Sequence, residues 1–148
     1  MRVKRTWPAI ISVIAGSGMF TPAAATDKFW IAHEAQLIII GRFHEQWVYP
    51  WVDGWHVAGT LDVEEILFGA PVPKSVNYRL VCRLAACRTW PPPRITALFG
   101  DHGIWFLRSI KDNTWRPPGE EQGIDPGYRG LDQRATFEDY IRIRKRER

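Results

Sequence analysis

Four histidines are the side chains best placed in type to move protons or hold a metal: His33, His44, His56 and His102. "HEAQL" at 33–37 begins like a helical zinc motif, in which two histidines four residues apart face one ion. Leu37 stands where the second histidine would be, so the motif is incomplete. An enzyme would have to gather His33, His44 and His102 with Asp101 from separate segments. Nothing in their spacing does this, and hydrogen-bonded structural roles are the simpler reading. Glu64-Glu65 and Glu120-Glu121 are adjacent carboxylates. Neighbours on a strand point to opposite faces, so Glu64 and Glu65 cannot act as an acid–base pair. There is no phosphate loop, dinucleotide glycine pattern or nucleophile elbow. The pattern calls for no catalytic residue, no metal and no cofactor, and it names no reaction.

Two further sets of residues could carry function. "WVYPWVDGW" places Trp47, Tyr49, Trp51 and Trp55 around one turn. Aromatic faces stack on sugar rings or bases, so these four are the candidate ligand-binding residues. The plainer alternative is that cross-strand aromatics stabilise the hairpin and cover the core. Trp90, Trp105 and Trp115 read as core or loop anchors. Cys82 and Cys87 are the two cysteines of the chain. Their C-x4-C spacing fits neither a redox pair nor a haem site. In an exported chain they are expected to form a disulfide closing a small ring, worth about 2 kcal/mol; two thiols in a core are the alternative.

Export is read from the N-terminus. "MRVKRTW" is basic, "PAIISVIAGSGMF" is apolar, and "TPAAATD" supplies an A-x-A end. This is the order of a signal peptide cleaved after Ala25. The apolar run is shorter than the ~20 residues a spanning helix needs and is broken by Gly16, Ser17 and Gly18. The mature chain, residues 26–148, is expected to be one soluble domain in the periplasm or secreted.

Removing the leader changes the charge. The whole chain of 148 residues carries +4. The mature chain has 17 basic residues against 16 acidic, and its last eight residues hold five basic and one acidic. Residues 26–140 are then 12 basic against 15 acidic. A slightly acidic body argues against nucleic acid as a partner and leaves another protein or a glycan. The basic tail could touch an anionic membrane surface, although cations at a helix C-terminus are favourable in any case.

The elements that must position these residues follow from periodicity. "DKFWIAHEA" reads as a short helix. "QLIIIGRFHEQWVY" is a β-branched run with a glycine bend at Gly41. Asp53-Gly54 signals a two-residue hairpin turn. "LDVEEILFG" carries both helical and strand spacings. Trp55, Val57, Leu61, Val63 and Leu67 share one parity after the turn, so 55–68 reads as a long strand. Glu65 falls on the apolar parity, which a bulge would relieve. So would the register set by the turn, which places Arg42 opposite Glu65. That register also sets Glu45 opposite Asp62 and Pro50 inside the ladder, so the pairing is expected to slip or open near Pro50. "SVNYRLVC" alternates as a third strand, "GIWFLRSI" reads as a buried fourth and "NTWRP" as a short fifth. "RLAACRTWPPPR" and "PPGEEQGIDPGYRG" read as irregular. "ATFEDYIRIRKRER" reads as a closing helix with Thr136 as N-cap and Phe137, Tyr140 and Ile141 as its apolar stripe.

Five strands with flanking helices suit a mainly β fold, a small antiparallel OB-like barrel. "AQLIIIGRF", "GTLDVEEILFG" and "GDHGIWFLRS" resemble the netrin-like modules of tissue inhibitors of metalloproteinases and their small bacterial secreted relatives. The resemblance spans about residues 35–110 and implies an OB-type barrel. The inhibitors of that family use a cysteine at the mature N-terminus to reach a zinc. Here that residue would be Thr26, so the resemblance implies the fold and not that mechanism. The function expected is a non-enzymatic exported binding or protein-interaction module. An oligosaccharide-binding barrel using the 47–55 aromatics, or an enzyme with a scattered His/Asp site, are the alternatives.

Overall fold

The computed structural model describes residues 28–51, 54–82, 101–119 and 125–147. The expected leader, Cys87 and Trp90 lie outside them. The chain divides into two compact units, Met1–Trp30 and Ile31–Arg148. In the first, the Lys28 ammonium lies 5.3 Å from the Phe29 ring centroid. Everything below concerns the second. Among the described residues no helix is long and apolar enough to cross a membrane.

Short helix α1 spans Trp30–Glu34. β1 (Leu37–Trp51) and β2 (Gly54–Phe68) form a long hairpin, followed by β3 (Ser75–Cys82) and β4 (His102–Lys111). Two short strands follow, β5 (Thr114–Arg116) and β6 (Tyr128–Arg129). A 3₁₀ turn at Leu131–Gln133 leads into α2 (Arg134–Arg146). The ambiguous stretch is thus strand from Leu61 to Phe68, with Gly69 just beyond its end.

The sheet runs β1-β2-β3-β5-β4-β6, and β1 also pairs with β4. Two parts of the expected architecture are corrected. The strands are not all antiparallel, because β3 and β5 run parallel, joined only at Asn77↔Thr114 and Tyr78↔Trp115. The sheet is also not a closed five-stranded antiparallel barrel: among the described residues it is a mixed sheet of six strands, and the parallel step is only two pairs long. The reason lies in the 111–114 turn. Asp112 takes a positive φ of 45° there, and β5 folds straight back along β4 from Lys111↔Thr114. This brings it beside β3 in the same direction for three residues only. β6, two residues long, carries no periodicity to read.

Bulges absorb the register conflicts. Shifts fall between Ile38 and Ile39, between Ile40 and Gly41, and between His44 and Trp47. The pairing therefore slips before Pro50, and Pro50 stays in the ladder opposite Trp55. Arg42 faces Asp62, not Glu65, because Gly54 is itself a strand residue paired with Trp51 and the shift between His44 and Trp47 moves the register by one more. Residues 52 and 53, between the two strands, lie outside the described residues. Glu65 leaves the apolar face by the bulge and meets Arg134 of α2 at 2.8 Å.

β4 is buried on both faces from Gly103 to Leu107, as its continuous apolar run requires. On one face Trp105 and Leu107 join Leu37, Ile39, Phe43, Leu61, Val76, Tyr78 and Leu80 in the main core. Phe43 stacks on Trp105 at 5.6 Å and meets Tyr78 edge-on at 5.3 Å. The polar atoms of this core are anchored: Trp105 Nε1 donates to the Gly41 carbonyl, and the Tyr78 hydroxyl donates to the Pro126 carbonyl. On the other face Phe106 packs on Phe137 of α2 at 4.9 Å. Burying each such ring contributes about 1.5–3 kcal/mol.

The N-cap expectation at Thr136 is also corrected. α2 begins at Arg134 after Gln133, which makes no side-chain cap bond. The preceding 3₁₀ turn carries the chain into the helix, and the Arg134 guanidinium fastens its first turn to Glu65 and Glu138. At the other end Arg144 donates to the Ala32 and Ala35 carbonyls. Arg108 donates to Glu34. Together they cap the carbonyls that α1 leaves unsatisfied at its C-terminal end.

Candidate functional site

The outward face of the β1–β2–β3 ribbon is built by register. Cross-strand partners share a face, so three rows form: Arg42, Asp62 and Ser75; His44, Thr60 and Asn77; Trp47, Ala58 and Arg79. The alternate residues of β3, Val76, Tyr78, Leu80 and Cys82, are buried in the core. That alternation turns Asn77 and Arg79 to solvent.

Trp47 is 56% exposed, whereas Trp55 is 4% exposed and lies in the core. The two candidate tryptophans thus take opposite faces of the hairpin. Trp55 packs in the core, where its indole N–H has no acceptor among the described residues. Tyr49 and Trp51 pair through their backbones with His56 and Gly54; their side chains lie outside the described residues. Among the described side chains of the set, Trp47 is the one that a ligand can reach. Beyond Arg42 the Phe43 N–H donates to the Asp101 carbonyl, and among the described residues the outer half of β1, with Trp47 and Val48, has no further partner on that side.

The first two rows are held by ion pairs. Arg42 meets Asp101 at 3.1 Å and His44 meets Asp62 at 3.0 Å. His102, opposite Arg42 on β4, reaches Glu64 at 2.7 Å. Glu64 and Glu65 do turn to different partners, as adjacent strand residues should. His33 lies on α1 and meets the Tyr140 hydroxyl at 3.1 Å. The histidines are spread over separate partners, and among the described residues no three metal-ligating side chains converge. The Tyr128 hydroxyl donates to the His102 carbonyl. Burial, then the charges of Asp101 and Asp132, raises its pKa above the ordinary tyrosine range, so it stays a donor.

The third row differs. Arg79 is exposed, and its guanidinium has no ion-pair or hydrogen-bond partner among the described residues. The same holds for the side chains of Thr60 and Asn77. Across the small Ala58, only 7% exposed, this leaves an aromatic ring facing an uncommitted cation. Sequence reasoning pointed to Trp47 but missed Arg79, Asn77 and Thr60. The signal was there in the alternation of "SVNYRLVC", whose polar residues fall on one parity.

A second feature is a groove of about 210 Å³ between β2 and α2, lined by Glu65, Ile66, Leu67, Glu138, Ile141, Arg142 and Lys145. Its charges are balanced, and Arg134 already bridges Glu65 and Glu138. The basic tail is partly engaged as well: Arg142 pairs with Asp139, and Arg144 lies over the Phe68 ring. No family model matches the chain, and no curated protein or solved structure matches it either.

Proposed function

We propose that the chain is an exported, non-enzymatic binding or protein-interaction module that holds its partner on the outward face of β1–β3. The observation that carries this reading is Trp47, a large aromatic open to solvent on a ribbon fixed by core residues. Interfaces concentrate their binding energy in such anchors. The strand circuit β1-β2-β3-β5-β4-β1, with its parallel β3–β5 contact, supports reading the sheet as an OB-type, partly open barrel of the netrin-like kind. A second reading, an oligosaccharide binder, is favoured by the polar surroundings of Trp47.

Trp47→Ala tests the site. The melting temperature should change little, with stability held within about 0.5 kcal/mol as for other surface positions. Recovery of a partner by the mature chain, from the compartment where it works, should fall. Equal recovery by wild type and variant would remove Trp47 from the site.

Export and the Cys82–Cys87 disulfide belong to the same proposal. Cys82 is buried at the end of β3. One measurement covers both: the intact mass of secreted protein, alkylated without reduction, should start at Thr26 and show no added label. A full-length mass or two labels per chain would contradict the respective part.

A further inference from the structure

We propose that the outward face binds an acidic oligosaccharide, with a uronic-acid ring stacked on Trp47 and its carboxylate on Arg79. This rests on the reading that the β1–β3 face is the binding surface. Trp47 and Arg79 flank Ala58 in one row. They are two strand spacings apart at the backbone, about 10 Å. Ala58 between them contributes only a methyl group and is itself almost covered, so the ring lies on the solvent side of Trp47 and its carboxylate reaches across to Arg79. A sugar ring presents its C–H face to an indole and its hydroxyls to the side. Thr60 and Asn77, in the next row, are placed to meet those hydroxyls.

Charge selects the acid. Arg42 and His44 are matched by Asp101 and Asp62, so the cation left for a ligand on these rows is Arg79. A guanidinium takes a carboxylate through two parallel hydrogen bonds. A ligand that joins Trp47 to Arg79 runs across the strands and not along an edge, which favours a sugar over an acidic peptide. Peptides add to sheets at a free edge or sit in a groove, and β2, at the centre of this face, is paired on both sides.

The test is titration of the mature chain, by calorimetry and tryptophan fluorescence, with oligogalacturonate, oligomannuronate and a glucuronate-containing oligosaccharide. Each is paired with its carboxyl-reduced neutral counterpart. At least one acidic probe should bind, and carboxyl reduction should weaken it about tenfold or more, as for loss of a charged hydrogen bond. Arg79→Gln should weaken the acidic probe to the same degree and leave the neutral one unchanged. Trp47→Ala should weaken both. Melting curves of the two variants confirm that they fold, and both positions are exposed. Failure of all three acidic probes to bind folded wild type overturns the proposal. So does a loss in Arg79→Gln that is equal for acidic and neutral probes. Polyglutamate binding with the same dependence on Trp47 and Arg79, and no sugar binding, overturns the sugar but keeps the face. Sugar binding indifferent to both substitutions overturns the face as well.

Discussion

Gly59→Val should lower the stability of the fold by about 2–3 kcal/mol, the range for overpacking a tight core. A Cβ at residue 59 would fall 2.3 Å from Phe43 Cζ and 2.6 Å from its Cε2. Phe43 is fully buried and wedged between Tyr78 and Trp105. The ring is closed in by these neighbours, and the strand backbone at 59 is held by pairing with Tyr78, with Leu61 and Val57 in the core beside it. The measurement is the urea midpoint at unchanged m-value. A second arm makes it specific: Phe43→Leu should absorb part of the loss, so the double variant should be more stable than the sum of the single effects predicts. Strict additivity, or a Gly59→Val midpoint equal to wild type, would remove the steric account.

Arg144→Ala should cost about 2 kcal/mol, by loss of charged hydrogen bonds to buried carbonyls and of a cation–π contact. Arg144 Nη1 lies 2.7 Å from the Ala35 oxygen and also donates to Ala32. The guanidinium carbon is 4.1 Å from the Phe68 ring centroid. Arg144→Lys should recover only part, because an ammonium cannot stack its plane on the ring while serving two acceptors. Amide hydrogen exchange is the readout, since α1 should lose protection before the β1–β2 hairpin does. Uniform loss across the sheet would mean that Arg144 supports the whole fold and not α1 in particular.

The strands with a clean period of two were legible in the sequence. β3 alternates because one of its faces meets the core, and β4 reads as a continuous apolar run because helices cover its second face. The choice of strand over helix at 61–68 also followed from parity. The bulges were not legible in position. A one-residue slip depends on which backbone groups find partners, and the Ile40–Gly41 shift is coupled to the close approach of the Asp62 carbonyl, 2.5 Å from where a Gly41 Cβ would stand. The helix start escaped because the Thr136 signal is local, whereas Arg134 is held by Glu65, far away in the chain. At the site, the turn aromatics were visible as a cluster in sequence. Their division between two faces was not, because it depends on where the hairpin turns, and that moved by one residue. Arg79 became a candidate only once register put it in the row of Trp47.

The capping of α1 also bears on the order of synthesis. The first ordered helix of the body ends at Glu34, yet its terminal carbonyls are met by Arg108 and Arg144. β1, next in the chain, takes its second neighbour from β4. A nascent chain emerging N-terminus first can close the hairpin early but cannot complete its own beginning until almost the last residue is made. Such a polypeptide has its N-terminal helix uncapped until its C-terminal helix arrives, so the closing of α1 is a late event in folding.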